Sequence, residues 1–151
     1  MNRITGMVLA ALGLVVLDHA ALAQSNCKDA KGNLVEVFDG VSTNSGTLTN
    51  GGWLDGTTVA VFNSPAYPTP DPTEVTFAST FTLTTNQGQL KGNRMYLYDF
   101  VRNQSTVMMK IDPAASTGIF AGATGVLFNN QSKNTGNTFY TEVGGQVCFA
   151  R

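Results

Sequence analysis

The chain has 151 residues, which is enough for one domain with a substantial hydrophobic core. Only 13% of the residues are charged and the formal net charge is -1, so the composition lacks the basic character of a nucleic-acid-binding protein and the charge excess of a disordered tail. With 42% hydrophobic residues and 16 glycines, it is the composition of a globular protein and favours β structure.

The first 23 residues have the layout of a cleaved export signal. Arg3 is followed by an apolar run, Met7–Leu17, and by small residues in an A-x-A pattern before Gln24. The run is shorter than the about 20 residues that a bilayer-spanning helix needs, so we expect no membrane insertion. The sequence therefore predicts a signal peptide over 1–23 and a mature domain over 24–151 in a periplasmic or secreted protein.

Cleavage at this point removes His19, the single histidine of the chain. Histidine is the commonest general base and the commonest transition-metal ligand. The mature chain is therefore not expected to be a Ser-His-Asp hydrolase or a Cys-His protease, nor to hold a histidine-ligated metal. We predict no cofactor and no metal centre of this type, and a Ca²⁺ site built from oxygen ligands stays open.

The two cysteines, Cys27 and Cys148, lie near opposite ends of the mature chain. In an exported protein, two cysteines predict one disulfide bond. This bond would join the N-terminal segment to the last strand. The alternative, a redox-active pair, is disfavoured because the spacing contains no C-x-x-C motif.

Short strands separated by turn signals make up most of the mature chain. The clearest is 75–84, in which apolar side chains alternate with threonine and alanine. The other predicted strands are 34–41, 46–54, 57–63, 89–102, 106–111, 119–128 and 139–149, with a long turn over 129–137. This succession predicts an all-β fold, and a single closed antiparallel β-barrel of about eight strands suits it best because closure leaves no exposed edge.

A proline-rich segment, 64–73, interrupts this succession with four of the five prolines. Proline lacks the N–H group that a strand ladder needs, so the segment is predicted to be an extended loop. It is either a simple connector or a lid that carries Tyr67 at the mouth of the barrel.

The strand over 93–102 has two chemically different faces. One face carries Arg94, Tyr96, Tyr98, Phe100 and Arg102; the other carries Met95, Leu97, Asp99 and Val101. On one interpretation the second face points into the lumen, where burial would raise the pKa of Asp99 and make it a polar handle for a ligand or a proton donor or acceptor. Alternatively, Asp99 caps the end of the barrel or pairs with an arginine at the rim, and the arginine–tyrosine face is a subunit interface. Taking both faces and the preceding strand together, the candidate ligand-binding residues are Asp99, Arg94, Tyr96, Tyr98, Phe77 and Phe81.

Two segments resemble a known family. The stretch 116–127 (STGIFAGATGVL) is similar to the TGxFxGATG segment of dirigent-like and allene oxide cyclase-like barrels, and 88–92 (GQLKG) is similar to the G-x-L/I-x-G strand start of that family. The resemblance covers roughly residues 75–150. It implies a calycin-like eight-stranded barrel, often trimeric, that binds or shapes small apolar molecules. Gly118 and Gly122 are interpreted as structural residues on one strand face, and no catalytic residue is carried over.

Together these observations predict an exported small β-barrel that binds or orients a small apolar ligand in its lumen, with a dirigent-like or cyclase-like role among the options. The alternative is a non-enzymatic structural or protein-interaction module whose barrel is filled by side chains. An enzyme that uses Asp99 or a tyrosine as acid or base is the third hypothesis. A homo-oligomer, with neither nucleic acid nor membrane as partner, completes the expectation.

Overall fold

The computed structural model describes residues 26–150, except for the side chains of residues 131–133. The predicted signal peptide, 1–23, lies outside the described residues. The strands in chain order are β1 (Asn26–Phe38), β2 (Thr43–Thr49), β3 (Gly56–Phe62), β4 (Tyr67–Pro68), β5 (Glu74–Thr85), β6 (Gly88–Asp99), β7 (Gln104–Ile111), β8 (Thr124–Thr135) and β9 (Thr138–Phe149). Two 3₁₀ helices, Gly52–Leu54 and Gly118–Phe120, are the helices of the described part, and neither has the length or the apolar character of a membrane span.

Eight of these strands close into an antiparallel barrel within residues 26–150. The order around the barrel is β3-β2-β1-β9-β8-β7-β6-β5, and β3 pairs with β5 to complete the circle. The two-residue strand β4 pairs with the beginning of β5. Closure gives every barrel strand two neighbours, so that none of the eight is left with an exposed edge. The predicted all-β, closed, eight-stranded fold is confirmed.

One end of the barrel is plugged by the two loops that contain the 3₁₀ helices. Leu54 and Phe120 are fully buried there, and Trp53 packs against Phe120 and Phe149 with ring centroids 6.1 and 5.5 Å away. Aliphatic side chains from all around the barrel complete this core, including Leu34, Leu48, Leu83, Leu90, Met109, Ile111, Leu127 and Val147. The hydrophobic core therefore fills the half of the barrel in which β1 begins and β9 ends.

The predicted disulfide is confirmed at this plugged end. Cys27 and Cys148 are direct cross-strand partners on β1 and β9, and their sulfurs are bonded at 2.06 Å. A structural disulfide of this kind fits a protein from an oxidising compartment.

Several predicted boundaries are wrong, and the reason is local. The segment 119–128 begins with the 3₁₀ helix and becomes a strand only at Thr124. Of the polar stretch 129–137 predicted as a long turn, residues 129–135 belong to β8 and the turn before β9 is 136–137. In a barrel, one face of a strand is solvated, so a run of Asn, Gln, Lys and Thr can still form a ladder. Similarly, β1 ends at Phe38 because Asp39 accepts hydrogen bonds from the backbone N–H groups of Val41 and Ser42 and forms a turn.

The motif glycines have the predicted structural role but a different location. Gly118 and Gly122 are not on a strand face; both lie in the plug loop with positive φ angles of 63° and 73°. A Cβ atom at Gly118 would lie 2.1 Å from the carbonyl oxygen of Gln87. Glycine at 118 therefore allows the plug loop to lie directly on the β5–β6 hairpin.

Candidate functional site

The opposite half of the barrel contains a cavity of about 430 Å³ that opens toward the other end. Its walls are mainly apolar and aromatic. Around it the loops are short, except for the proline-rich segment between β3 and β5, which contributes Ser64 and Ala66. The residues that line the cavity are Glu36, Phe38, Val41, Asn44, Phe62, Ser64, Ala66, Phe77, Arg94, Tyr96, Tyr98, Ser105, Val107, Asn129, Phe139 and Thr141.

A connected cluster of four aromatic rings forms one wall of this cavity. The rings of Phe77 and Tyr96 stack with centroids 4.7 Å apart and an interplanar angle of 13°. The ring centroid of Phe62 lies 5.4 Å from that of Phe77 and 5.5 Å from that of Tyr96. The ring of Phe38 packs edge-on against Phe62, with centroids 5.8 Å apart. These residues come from β1, β3, β5 and β6, which are neighbours around the barrel or separated by one strand, so the alternation of inward side chains brings the rings together.

A buried ion pair lies deep in the cavity. Arg94 on β6 is 1% exposed and Glu36 on β1 is 5% exposed. Arg94 Nη1 donates to Oε1 and Oε2 of Glu36 at 3.0 and 3.1 Å and to the hydroxyl oxygen of Tyr96 at 3.3 Å. The Thr58 hydroxyl also bonds to Glu36, at 3.4 Å, and the hydroxyls of Ser79 and Tyr96 lie 3.2 Å apart. The pair thus belongs to a connected polar network inside an otherwise apolar barrel.

Arg94 also marks the boundary between the cavity and the core. Its guanidinium carbon lies 3.6 Å from the centroid of the Phe81 ring, which belongs to the core cluster. Burial acts to lower the pKa of Arg94, but the charge of Glu36 and the interaction with Tyr96 outweigh it and raise the pKa. The guanidinium therefore stays protonated and acts as a fixed positive charge.

Two buried polar atoms near this network have no hydrogen-bond partner within the described residues. They are Nε of Arg94 and Oδ1 of Asn44. Asn44 lines the cavity from β2 and is 5% exposed. Buried polar groups are nearly always paired, so the unpaired amide oxygen of this lining residue is a position where a ligand or a water molecule can bond.

The strand-face assignment for 93–102 is wrong. Met95 and Leu97 are 54% and 44% exposed, whereas Arg94 and Tyr96 are buried and face the lumen. Hydrophobicity alone suggested the reverse. The arginine faces inward because Glu36 neutralises its charge and the aromatic rings cover the rest of that face, a pairing that no single strand reveals.

Asp99 lies at the rim and is not part of the cavity lining. Its Oδ1 accepts hydrogen bonds from the backbone N–H groups of Val101 and Arg102 at 2.9 and 2.8 Å, and its Oδ2 accepts one from the Arg102 guanidinium. These bonds, led by that from the Arg102 backbone, lower the pKa of Asp99 despite its partial burial. The lumenal interpretation of Asp99, with its raised pKa, is therefore wrong, and the other interpretation, an aspartate that pairs with an arginine at the rim, is confirmed.

Of the six predicted ligand-binding residues, four line the cavity: Arg94, Tyr96, Tyr98 and Phe77. Phe81 lies beneath Arg94 in the core, and Asp99 lies outside on the rim. Ligand binding by the four lining residues stays a prediction.

Sequence reasoning missed Glu36, which is the charged partner of Arg94. A signal was present, because Glu36 shares the period-two face of Leu34 and Phe38 and so had to point inward with them. It also missed Asn44 and Asn129, whose strands had no clear apolar alternation to orient them.

No protein-family model matches the chain, and no curated protein matches it. Among solved structures, the chain is similar to a dirigent protein described as a pterocarpan synthase, with 17% identity over all of both chains and a TM-score of 0.37.

Proposed function

We propose that this protein is an exported barrel that binds one small, mostly apolar ligand in the cavity at the open half of the barrel. The proposal rests on the finding that one half of the lumen is packed with side chains and the other half is open. Core side chains fill the half next to the disulfide, and the other half holds a cavity of about 430 Å³ behind four aromatic rings. Small-molecule sites are typically concave, mainly apolar and about 300–1,000 Å³ in volume, with a few polar groups that fix orientation.

The finer form of this proposal is a dirigent-like or cyclase-like role, in which the cavity holds a reactive ligand in one geometry for coupling or cyclisation. Such a role needs shape more than acid–base groups. The resemblance of segments 88–92 and 116–127 to that family supports it, and so does a cavity whose two charged lining residues, Arg94 and Glu36, are paired with each other.

Binding of an uncharged environment-sensitive dye, N-phenyl-1-naphthylamine, tests the proposal. Its fluorescence should rise on addition of the folded protein and saturate at one dye per chain. Val107 is 3% exposed and lines the cavity, so Val107→Trp should fill part of the cavity and weaken dye binding at least about tenfold.

The neighbouring position supplies a matched control. Met108 lies next to Val107 on β7 but points outward and is 45% exposed, so Met108→Trp should leave dye binding unchanged. Failure of the dye to bind the wild-type protein, or equal loss of binding in both variants, would contradict a lumenal site.

We propose as a second role that the outer face of β6–β8 joins copies of this chain. Met95, Met108 and Phe128 are consecutive cross-strand partners and are 54%, 45% and 47% exposed. Gly144 continues the row on β9 with open space at its missing Cβ, into which a side chain of another copy can fit. Light scattering of the wild type and of Met108→Lys tests this: the wild type should be oligomeric and the variant smaller, and a monomeric wild type would refute it.

A further inference from the structure

The charges at the bottom of the cavity are matched before any ligand arrives. Glu36 and Arg94 are the charged residues among the described ones that line the cavity. Both carboxylate oxygens of Glu36 lie within 3.1 Å of Arg94 Nη1. The pair is therefore internally neutral and leaves neither sign of charge in excess.

Neutrality of this pair decides which ligands the cavity can hold. An anion that approaches Arg94 also approaches the carboxylate of Glu36, and a cation that approaches Glu36 meets the guanidinium. A charged ligand would lose its hydration on entering the cavity, and no unpaired opposite charge among the described lining residues is there to replace it. The free energy of binding such a ligand is therefore unfavourable in an apolar cavity.

The cavity nevertheless offers hydrogen bonds to an uncharged group. The amide of Asn44 is buried on the wall with its Oδ1 unpaired among the described residues. Asn129, 3% exposed, presents a second amide from β8. An amide can both donate and accept, so these residues match a hydroxyl, carbonyl or amide group on a ligand.

From these contacts we infer that the cavity selects an uncharged ligand with a hydrogen-bonding group at its buried end, and that Asn44 recognises this group. The inference rests on the proposed function and adds the substrate class to it. Carboxylates and amines of the same size are excluded by the Glu36–Arg94 pair, and plain hydrocarbons bind without the contribution of Asn44.

Competition against the dye by four size-matched probes tests the inference at pH 7. The probes are 1-naphthalenemethanol, 1-methylnaphthalene, 1-naphthoate and 1-naphthylmethylammonium. The alcohol should displace the dye at least about tenfold better than either ion, and better than the hydrocarbon. Equal displacement by the alcohol and the carboxylate would overturn the inference while the dye binding still upheld the proposed function. If the dye itself fails to bind, the proposed function and the inference both fall.

Two variants assign the selectivity to residues. Asn44→Leu should keep binding of the hydrocarbon and abolish the advantage of the alcohol, whereas the exposed control Asn93→Leu should change neither. Glu36→Gln leaves the charge of Arg94 unmatched, so it should shift the preference toward 1-naphthoate.

The outcome does not depend on Glu36→Gln being stable, because the wild-type ratio of alcohol to carboxylate decides the charge selectivity by itself. An unchanged preference for the alcohol in folded Asn44→Leu would overturn the assignment of Asn44. An unchanged preference against 1-naphthoate in folded Glu36→Gln would overturn the role of the ion pair.

Discussion

Arg94 on β6 and Glu36 on β1 face each other across the barrel lumen, with Nη1 of the arginine 3.0 Å from Oε1 of the glutamate. The contact joins residues 58 positions apart in the sequence and bridges strands that are not neighbours in the sheet. It holds two opposite walls of the barrel at the level where the packed core ends and the cavity begins.

Removing one member of this pair should destabilise the protein strongly. Arg94→Met leaves the Glu36 carboxylate buried without its cationic partner, which costs about 3–5 kcal/mol of the free energy of unfolding. The double variant Glu36→Leu/Arg94→Met removes both charges and should recover most of that loss. Urea denaturation of the wild type, the single variant and the double variant measures these free energies of unfolding. A double variant as unstable as the single one would show that lost packing, rather than the unpaired charge, dominates the destabilisation.

The rim aspartate should stabilise the protein in a pH-dependent way. Its hydrogen bonds from the backbone and side chain of Arg102 place the pKa of Asp99 below its ordinary value of 3.8. Because the folded-state pKa is the lower one, this stabilisation is complete above about pH 5 and is lost as the pH falls through the folded-state pKa. Thermal melts at pH 7 should give Asp99→Asn a lower melting temperature than the wild type, and the difference should shrink in acid.

The same variant should leave ligand binding unchanged, because Asp99 does not line the cavity. Glu142→Gln, an exposed carboxyl change on β9, is the control for the melts and should have little effect at any pH. Weakened binding of the neutral dye by Asp99→Asn at full folding would contradict the placement of Asp99 on the rim.

The disulfide should contribute stability without shaping the cavity. Cys27 and Cys148 are 121 residues apart, so cleaving their bond frees a long loop in the unfolded chain and should lower the free energy of unfolding by about 4–5 kcal/mol. The double Cys→Ser variant, compared with the oxidised wild type by denaturant unfolding, measures this loss. Dye affinity under native conditions should be similar in both, since the bond lies at the plugged end of the barrel.

Two glycines with nearly equal backbone angles should respond very differently to alanine. Gly136 has a φ angle of 59° and open space at its missing Cβ, so Gly136→Ala should cost only the left-handed strain of about 1–2 kcal/mol. Gly118 has a φ angle of 63°, and a Cβ there would also strike the Gln87 carbonyl oxygen at 2.1 Å. Gly118→Ala should therefore be clearly more destabilising in urea, and equal losses would show that the plug loop can move away from the hairpin.

Local pattern was enough to predict much of the fold. Alternation with period two identified the strand 75–84 and most of 89–102, since a strand with one buried face repeats every two residues whatever its partners are. Two cysteines in a chain with an export-like N-terminus allowed a single intramolecular pairing, so Cys27 and Cys148 could be joined without knowledge of the register. The succession of short strands pointed to closure because a closed sheet leaves no edge.

Tertiary structure alone decided which face of β6 points inward. The period of the strand separates Arg94 and Tyr96 from Met95 and Leu97, but it does not say which set is inside. That choice depends on Glu36, 58 residues away, whose carboxylate neutralises Arg94. Composition favours the apolar face because an unpaired arginine would be too costly to bury, and only the pairing across the lumen reverses this preference.

The division of the lumen into core and cavity was likewise beyond the sequence. An eight-stranded barrel can be filled by side chains or can hold one ligand, and which occurs depends on how the inward side chains of all strands fill each level. Phe120 and Leu54 fill the plugged end from loops rather than strands, and their burial follows from where those loops fold back. The sequence by itself predicted the barrel strands, about eight in number, and the disulfide, because these depend on local periodicity and on residue counts. The exact strand boundaries, the cavity and its ion pair depend on contacts between distant parts of the chain, which only the closed barrel brings together.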